Sequence, residues 1–383
     1  MTRVKSQAKS PTAVGKAPSG SRGRPDGILP AQVIRVLAEM GEIVPAEPFG
    51  ARQVQPASLD LRLGDVAYRV RASFLPGPGI PVKVRLEQLS LHEIDLKESA
   101  VLETGCVYVV PLLEALALPT GLSAAANPKS STGRLDVFTR VIADGVASFD
   151  TIPEGYRGAL YAEICPQTFP IVVRRGSTLS QIRFRSGQPT ISDAELAELH
   201  ESQTLVSGGA HADIQGGIAL SVDLMGDDNG LVGYRAKRHT GLVDVDAPGS
   251  CALLDYWEPI HVRGGNRLIL DPDQFYILAS KEAVHVPPLY AAEMVPFNPL
   301  VGEFRVHYAG FMDPGFGHAK AGGSGARVVL EVRSHKVPFI LEDGQIIGRL
   351  IYERMAEQPD RLYGLDLGSN YQAQGLKLSK HFK

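Results

Sequence analysis

A chain of 383 residues with 44% hydrophobic and 21% charged side chains has the make-up of a globular protein of two domains or one large one. Its net charge of −3 excludes a whole-surface footprint for nucleic acid or membrane, so a polyanion is expected only in a local pocket. Cys106, Cys165 and Cys251 are scattered, which supports neither a disulfide framework nor a zinc–thiolate site and fits a reducing cytoplasm.

No run approaches the ~18 apolar residues of a membrane span. Residues 1–27 set Arg3, Lys5, Lys9, Lys16, Arg22 and Arg24 against the single acid Asp26, among many Ser, Gly, Pro and Ala. With no apolar core for a signal peptide, they are expected to form a disordered basic tail. A helix is predicted after Pro30, with Val33, Val36, Leu37 and Met40 at helical spacing and Gly41 as its terminal glycine. Beyond it the chain reads as β, in short apolar or alternating runs cut by Gly/Pro turns. Examples are Ser58–Leu63, Val107–Pro111, Val137–Ala143, Ala159–Ile164 and Leu179–Phe184. A second helix is predicted over 193–200, where Ser192 and Glu195 make a capping box.

Between two of these strands lies Asn127-Pro128-Lys129-Ser130-Ser131-Thr132-Gly133-Arg134. Hydroxyls, backbone N–H groups and a guanidinium within so few residues can seat a phosphate. The same residue types also make a solvated turn. Longer-range self-similarity separates the two readings. Ser58-Leu59-Asp60-Leu61-Arg62-Leu63-Gly64 recurs as Leu220-Ser221-Val222-Asp223-Leu224-Met225-Gly226, and Ala159-Leu160-Tyr161-Ala162-Glu163 as Arg327-Val328-Val329-Leu330-Glu331. Arg175-Gly176 through Phe184 matches Asp343-Gly344 through Tyr352. Matches at nearly one offset point to a duplicated β domain, too long in its unit for a solenoid. The copies are expected at 28–190 and 212–356, with a helical linker at 191–211 and a tail at 357–383.

At these residues the sequence resembles the dCTP deaminases, which share a fold with the trimeric dUTPases. Ala57–Gly64 is similar to the family's opening strand, and Lys129-Ser130-Ser131-Thr132-Gly133-Arg134 to its Arg-Ser-Ser-x-x-Arg phosphate motif. Ala309-Gly310-Phe311-Met312-Asp313-Pro314-Gly315-Phe316 resembles the turn beside the base. Leu330-Glu331-Val332 resembles the strand of the catalytic glutamate, and Tyr363 with Ser369–Gly375 the C-terminal flap. The resemblance implies a mainly β fold: a duplicated, dUTPase-like distorted β-barrel with a few short helices, assembled as a homo-oligomer. It implies dCTP as substrate and dUTP as product, magnesium only as the triphosphate's counter-ion, and no tightly bound cofactor. It also allows dTTP as a feedback ligand.

Each copy departs from the pattern. The second has Asn298-Pro299-Leu300-Val301-Gly302-Glu303 where the serine motif belongs. The first has an irregular turn, Ala147 to Tyr156, and Asn370 replaces the flap's usual lysine. The resemblance therefore implies one composite site. Lys129, Ser130, Ser131 and Arg134 of the first copy seat phosphate. Glu331, Ala309 and Asp313 of the second supply the base and the pocket wall, while Tyr363, Tyr371 and Gln374 close over the nucleotide.

Deamination without a zinc cluster of His and Cys needs a carboxylate that works as base and then as acid. Glu331 suits that role if it faces a closed pocket. Strand alternation can instead send it to solvent beside Arg333, with Glu163 as the other candidate base. Two further readings stay open. One is a dUTPase or bifunctional enzyme with Asp150 or Asp313 activating water. The other is a nucleotide-binding regulator without turnover.

Overall fold

The computed structural model describes residues 25–208, 212–262, 264, 266–296, 304–307, 310–334, 336–364 and 375–383. Among the described residues the strands pair into six sheets, and two of these repeat one strand order. In the first, Ser90–Asp95, Val66–Val70, Val107–Ala117, Arg157–Pro166 and Val137–Ala143 lie side by side. In the second, Trp257–His261, Leu231–Ala236, Phe275–Val284, Ala326–Ser334 and Phe304–His307 do the same. Each is backed by a sheet built on a long final strand, Thr178–Ser186 in one half and Ile346–Arg354 in the other. The fold is thus mainly β with a few short helices, as expected.

Period-2 alternation decides which side chains reach the space between the halves. On the strand Leu59–Arg62, Leu59 and Leu61 enter the core of the first half while Asp60 and Arg62 point the other way. On Ala326–Ser334, Val328, Leu330 and Val332 fill the core of the second half. Glu331 therefore faces away from that core, towards the first half.

The halves share a third core, in which Phe169 and Ile171 meet Trp257, Phe275 and Val329. Trp257 is fully buried with Phe169, Phe275 and Phe382 around it at 5.4–6.0 Å between ring centroids. Truncating such a residue typically costs 3–5 kcal/mol. The strand Ile171–Val173 also pairs in parallel with Val243–Asp244 across the boundary.

Three local expectations need correction. The first helix, Ala31–Glu39, turns Ala31, Ile34 and Leu37 inward and leaves Val36 and Met40 exposed. Its apolar face thus lies about one position from the predicted one, because Ala31 and Ile34 complete the i, i+3 stripe. Order reaches back past Ile28, since Gly27–Ile28 pairs with Arg185 and Ser186. A helix at Val82–Leu89 was not anticipated, because Val82-Lys83-Val84 alternates like a strand. No helix among the described residues is long and apolar enough to cross a membrane.

Candidate active site

Pro128 ends the strand Leu122–Pro128, and a single helical turn, Ser130–Gly133, follows. Its backbone bonds, from Thr132 and Gly133 N–H to Lys129 O at 2.8 and 3.0 Å, hold Ser130 and Ser131 at the mouth of a cavity of about 490 Å³. That volume lies within the range of small-molecule sites. Lys129 crosses the mouth, its Nζ bonded to Asp60 Oδ2 and to Thr178 Oγ1 at 2.9 Å. Arg134, only 3% exposed, donates from Nη1 to the carbonyl of Lys377 at 2.9 Å.

Glu331 stands on the opposite wall. Its carboxylate oxygen lies 4.0 Å from Arg134 Nε, and the residue is only 4% exposed. Burial pushes its carboxyl up to about 8, against the opposing pull of the Arg134 charge. A carboxyl poised near neutrality can both accept and return a proton. Arg333, two residues on, pairs with Asp136 of the first half and does not contend for Glu331.

The third wall is the turn Asp313-Pro314-Gly315, which follows the short strand Phe311–Met312. Gly315 has φ of 97°, and a Cβ there would sit 2.8 Å from the carbonyl oxygen of Tyr363. Only glycine lets the two segments approach so closely. The turn grips Tyr363 through its N–H to Pro314 O at 2.8 Å and through its ring, 5.7 Å from that of Phe316. Asp313 is buried, which raises its carboxyl, while Arg183 pulls it down.

Lys129, Ser130, Ser131, Arg134, Asp313, Glu331 and Tyr363 thus line one cavity between the halves. Glu163 does not line it. Its Oε1 accepts from Arg140 Nε at 3.0 Å, within the first half. Asp150 lies beside that pair, accepting from Val141 N–H at 2.7 Å, and burial lifts its carboxyl to about 7. Ala309, Tyr371 and Gln374 lie outside the described residues, as do Asn298–Glu303 and Asn370.

Sequence reasoning missed Arg183, Asp60 and Lys380. Arg183 is fully buried, donating to Asp313 Oδ1 and Glu353 Oε2 at 3.3 Å and to two backbone carbonyls of the second half. Its guanidinium also lies 4.1 Å from the Phe311 ring. An arginine between Ile182 and Phe184 in an apolar strand was the available signal. Asp60 sat in a repeated motif, but nothing local showed that it would meet Lys129.

Comparison with known proteins covers both halves. Residues 25–188 match the family model of the 2'-deoxycytidine 5'-triphosphate deaminase N-terminal domain, and residues 192–382 that of its C-terminal domain. A crystal structure titled 2'-deoxycytidine 5'-triphosphate deaminase from Agrobacterium tumefaciens is 62% identical, with a TM-score of 0.83, over 88% of this chain and all of that one. A Halobacterium salinarum protein named "dCTP deaminase, dUMP-forming" is 35% identical over 30% of this chain and 55% of its own length. One of the same name from Beutenbergia cavernae is 31% identical over 39% of this chain and 75% of its own. The chain therefore spans about half the length of the first of these relatives and three quarters of the second.

Proposed function

The chain belongs to the 2'-deoxycytidine 5'-triphosphate deaminase family, and from that premise we propose that it hydrolyses dCTP to dUTP and ammonia at the cavity between its halves. The observation that carries this reading is Glu331 of the second half facing Arg134 of the first across one pocket, 4.0 Å apart. The turn at Ser130 and Ser131, with Lys129, holds the triphosphate through charge-assisted hydrogen bonds. Met294, Phe311 and Phe316 offer the apolar surface that receives the base.

In this mechanism ionised Glu331 takes a proton from water as the oxygen attacks C4 of cytosine. The C4–N bond then breaks, and the proton returned by Glu331 leaves with ammonia, so that dCTP and water become dUTP and ammonia. Arg134 stabilises the ionised carboxylate during the first step. A magnesium ion would arrive with the nucleotide and be held mainly through phosphate oxygens. The free thiols Cys106, Cys165 and Cys251 suit a reducing cytoplasm.

The test is the release of ammonia and nucleotide from dCTP with magnesium by wild type, Glu331→Gln and Glu163→Gln. General acid–base catalysis is worth about 10²–10⁴-fold, so Glu331→Gln should fall by that factor while Glu163→Gln stays active. Loss confined to Glu163→Gln would move the chemistry into the first half. No ammonia from wild type would refute the reading. A second reading, formation of dUMP and pyrophosphate, is favoured by the names of the two relatives above, and the nucleotide product separates the two.

A further inference from the structure

The chain's last segment is built into the cavity wall. Leu378, Ser379 and His381 are buried, and Phe382 packs 5.4–6.0 Å from the rings of Tyr256, Trp257 and Phe169. Main-chain bonds of about 3.0 Å run from Gly249 N–H to Lys380 O and from Cys251 N–H to His381 O. On the other side Ser379 Oγ donates to Ser131 O at 2.8 Å, and Lys377 O receives Arg134. The backbone on either side of Lys380 is thus tied to the phosphate turn of the first half and to a loop of the second.

The Lys380 side chain lines the same cavity as Lys129, Arg134 and Asp60. We propose that Lys380 is a triphosphate-binding residue, a cation of the phosphate seat delivered by the C-terminal segment. The argument is electrostatic and rests on the proposed use of this cavity for a nucleoside triphosphate. Lys129 already occupies Asp60 through its salt bridge. A second ammonium in the same partly buried mouth repels the first, and burial and the Lys129 charge loosen the proton on Lys380 by more than the attraction of Asp60 and Asp246 tightens it. A polyanion lying between them relieves that repulsion. Because the backbone is anchored on both sides, little ordering cost falls on binding.

The experiment uses the full chain as wild type, Lys380→Met, Lys380→Gln and Lys380→Arg, with two readouts. One is calorimetric binding of inorganic triphosphate with magnesium, and the other is steady-state deamination of dCTP. A charge-assisted bond lost from such a seat weakens binding about tenfold or more. Lys380→Met and Lys380→Gln should therefore bind triphosphate at least about tenfold more weakly, and KM for dCTP should rise in step while kcat holds. Lys380→Arg should recover most of the loss. Equal triphosphate binding by wild type and both neutral variants overturns the proposal, as does no binding by wild type. Ammonia release with unchanged KM in the neutral variants would overturn it and leave the deaminase reading standing. Lys380-dependent triphosphate binding without ammonia release would do the opposite.

Discussion

Glu331 is where the physical argument is sharpest, because its burial has consequences for both chemistry and stability. Its carboxyl is raised in the fold, from the ordinary glutamate value of 4.5 to about 8. The folded protein therefore keeps a proton that the unfolded chain releases as pH rises past that ordinary value. The associated stability is full at low pH and lost as pH climbs towards about 8. Glu331→Gln removes this dependence. It should melt close to wild type at pH 5 but higher by about 2 °C or more at pH 9, and a gap independent of pH would contradict the burial argument. Arg183 makes the opposite prediction. Arg183→Met strips buried Asp313 of its guanidinium and leaves Glu353 with Arg185 alone, and should cost about 3–5 kcal/mol in urea unfolding. An unchanged midpoint would show that the network is dispensable. The serine turn was legible because its donors are contiguous in sequence. Glu331 was legible as a residue but not as a direction, since it shares its face of the strand with Arg327, Val329 and Arg333, and alternation alone favoured solvent. Arg183 was not read at all, since its four partners all lie more than a hundred residues away.

Among the elements, the single helical turn at Ser130–Gly133 and the Asp313-Pro314-Gly315 turn hold two walls of the cavity, and the C-terminal segment ties the first of them to the Gly249–Cys251 loop of the second half. That segment was expected to work only as a flap, because a short polar terminus without periodicity gives no packing signal. The packing comes from Leu378 and Phe382, which find partners only once Trp257, Phe169 and Tyr256 have assembled. Phe382→Ala should therefore loosen the tail, expose it to carboxypeptidase and raise KM for dCTP severalfold, while a remote surface change such as Glu198→Ala does neither. Unaltered KM in a protein whose tail has become protease-sensitive would separate the anchor from the phosphate seat. The helix Ala31–Glu39 carries a related lesson. Its existence followed from Pro30 and Gly41, but its inward face was settled by which of two overlapping stripes met the core of the first half.

For the whole molecule, the two halves are similar in strand order yet unequal in what they bring to the cavity. The first contributes Lys129, Ser130, Ser131 and Arg134, the second Glu331 and Asp313. Their mutual orientation is held by the shared aromatic core and by ion pairs across the boundary such as half-buried Arg185 with buried Glu353 at 3.0 Å. The departures of each half from the family's motifs pointed to that unequal lining, whereas the packing that brings both halves to one cavity was not readable. The most direct test is complementation between chains. Arg134→Ala and Glu331→Gln are each expected to be inactive, and the two are co-expressed and assayed together for ammonia from dCTP. A site formed within one chain predicts no recovery, because each chain lacks one half of its own site. Sites formed between chains would regain about a quarter of wild-type activity by random pairing in a symmetric oligomer, and that result would contradict the composite site described for the single chain.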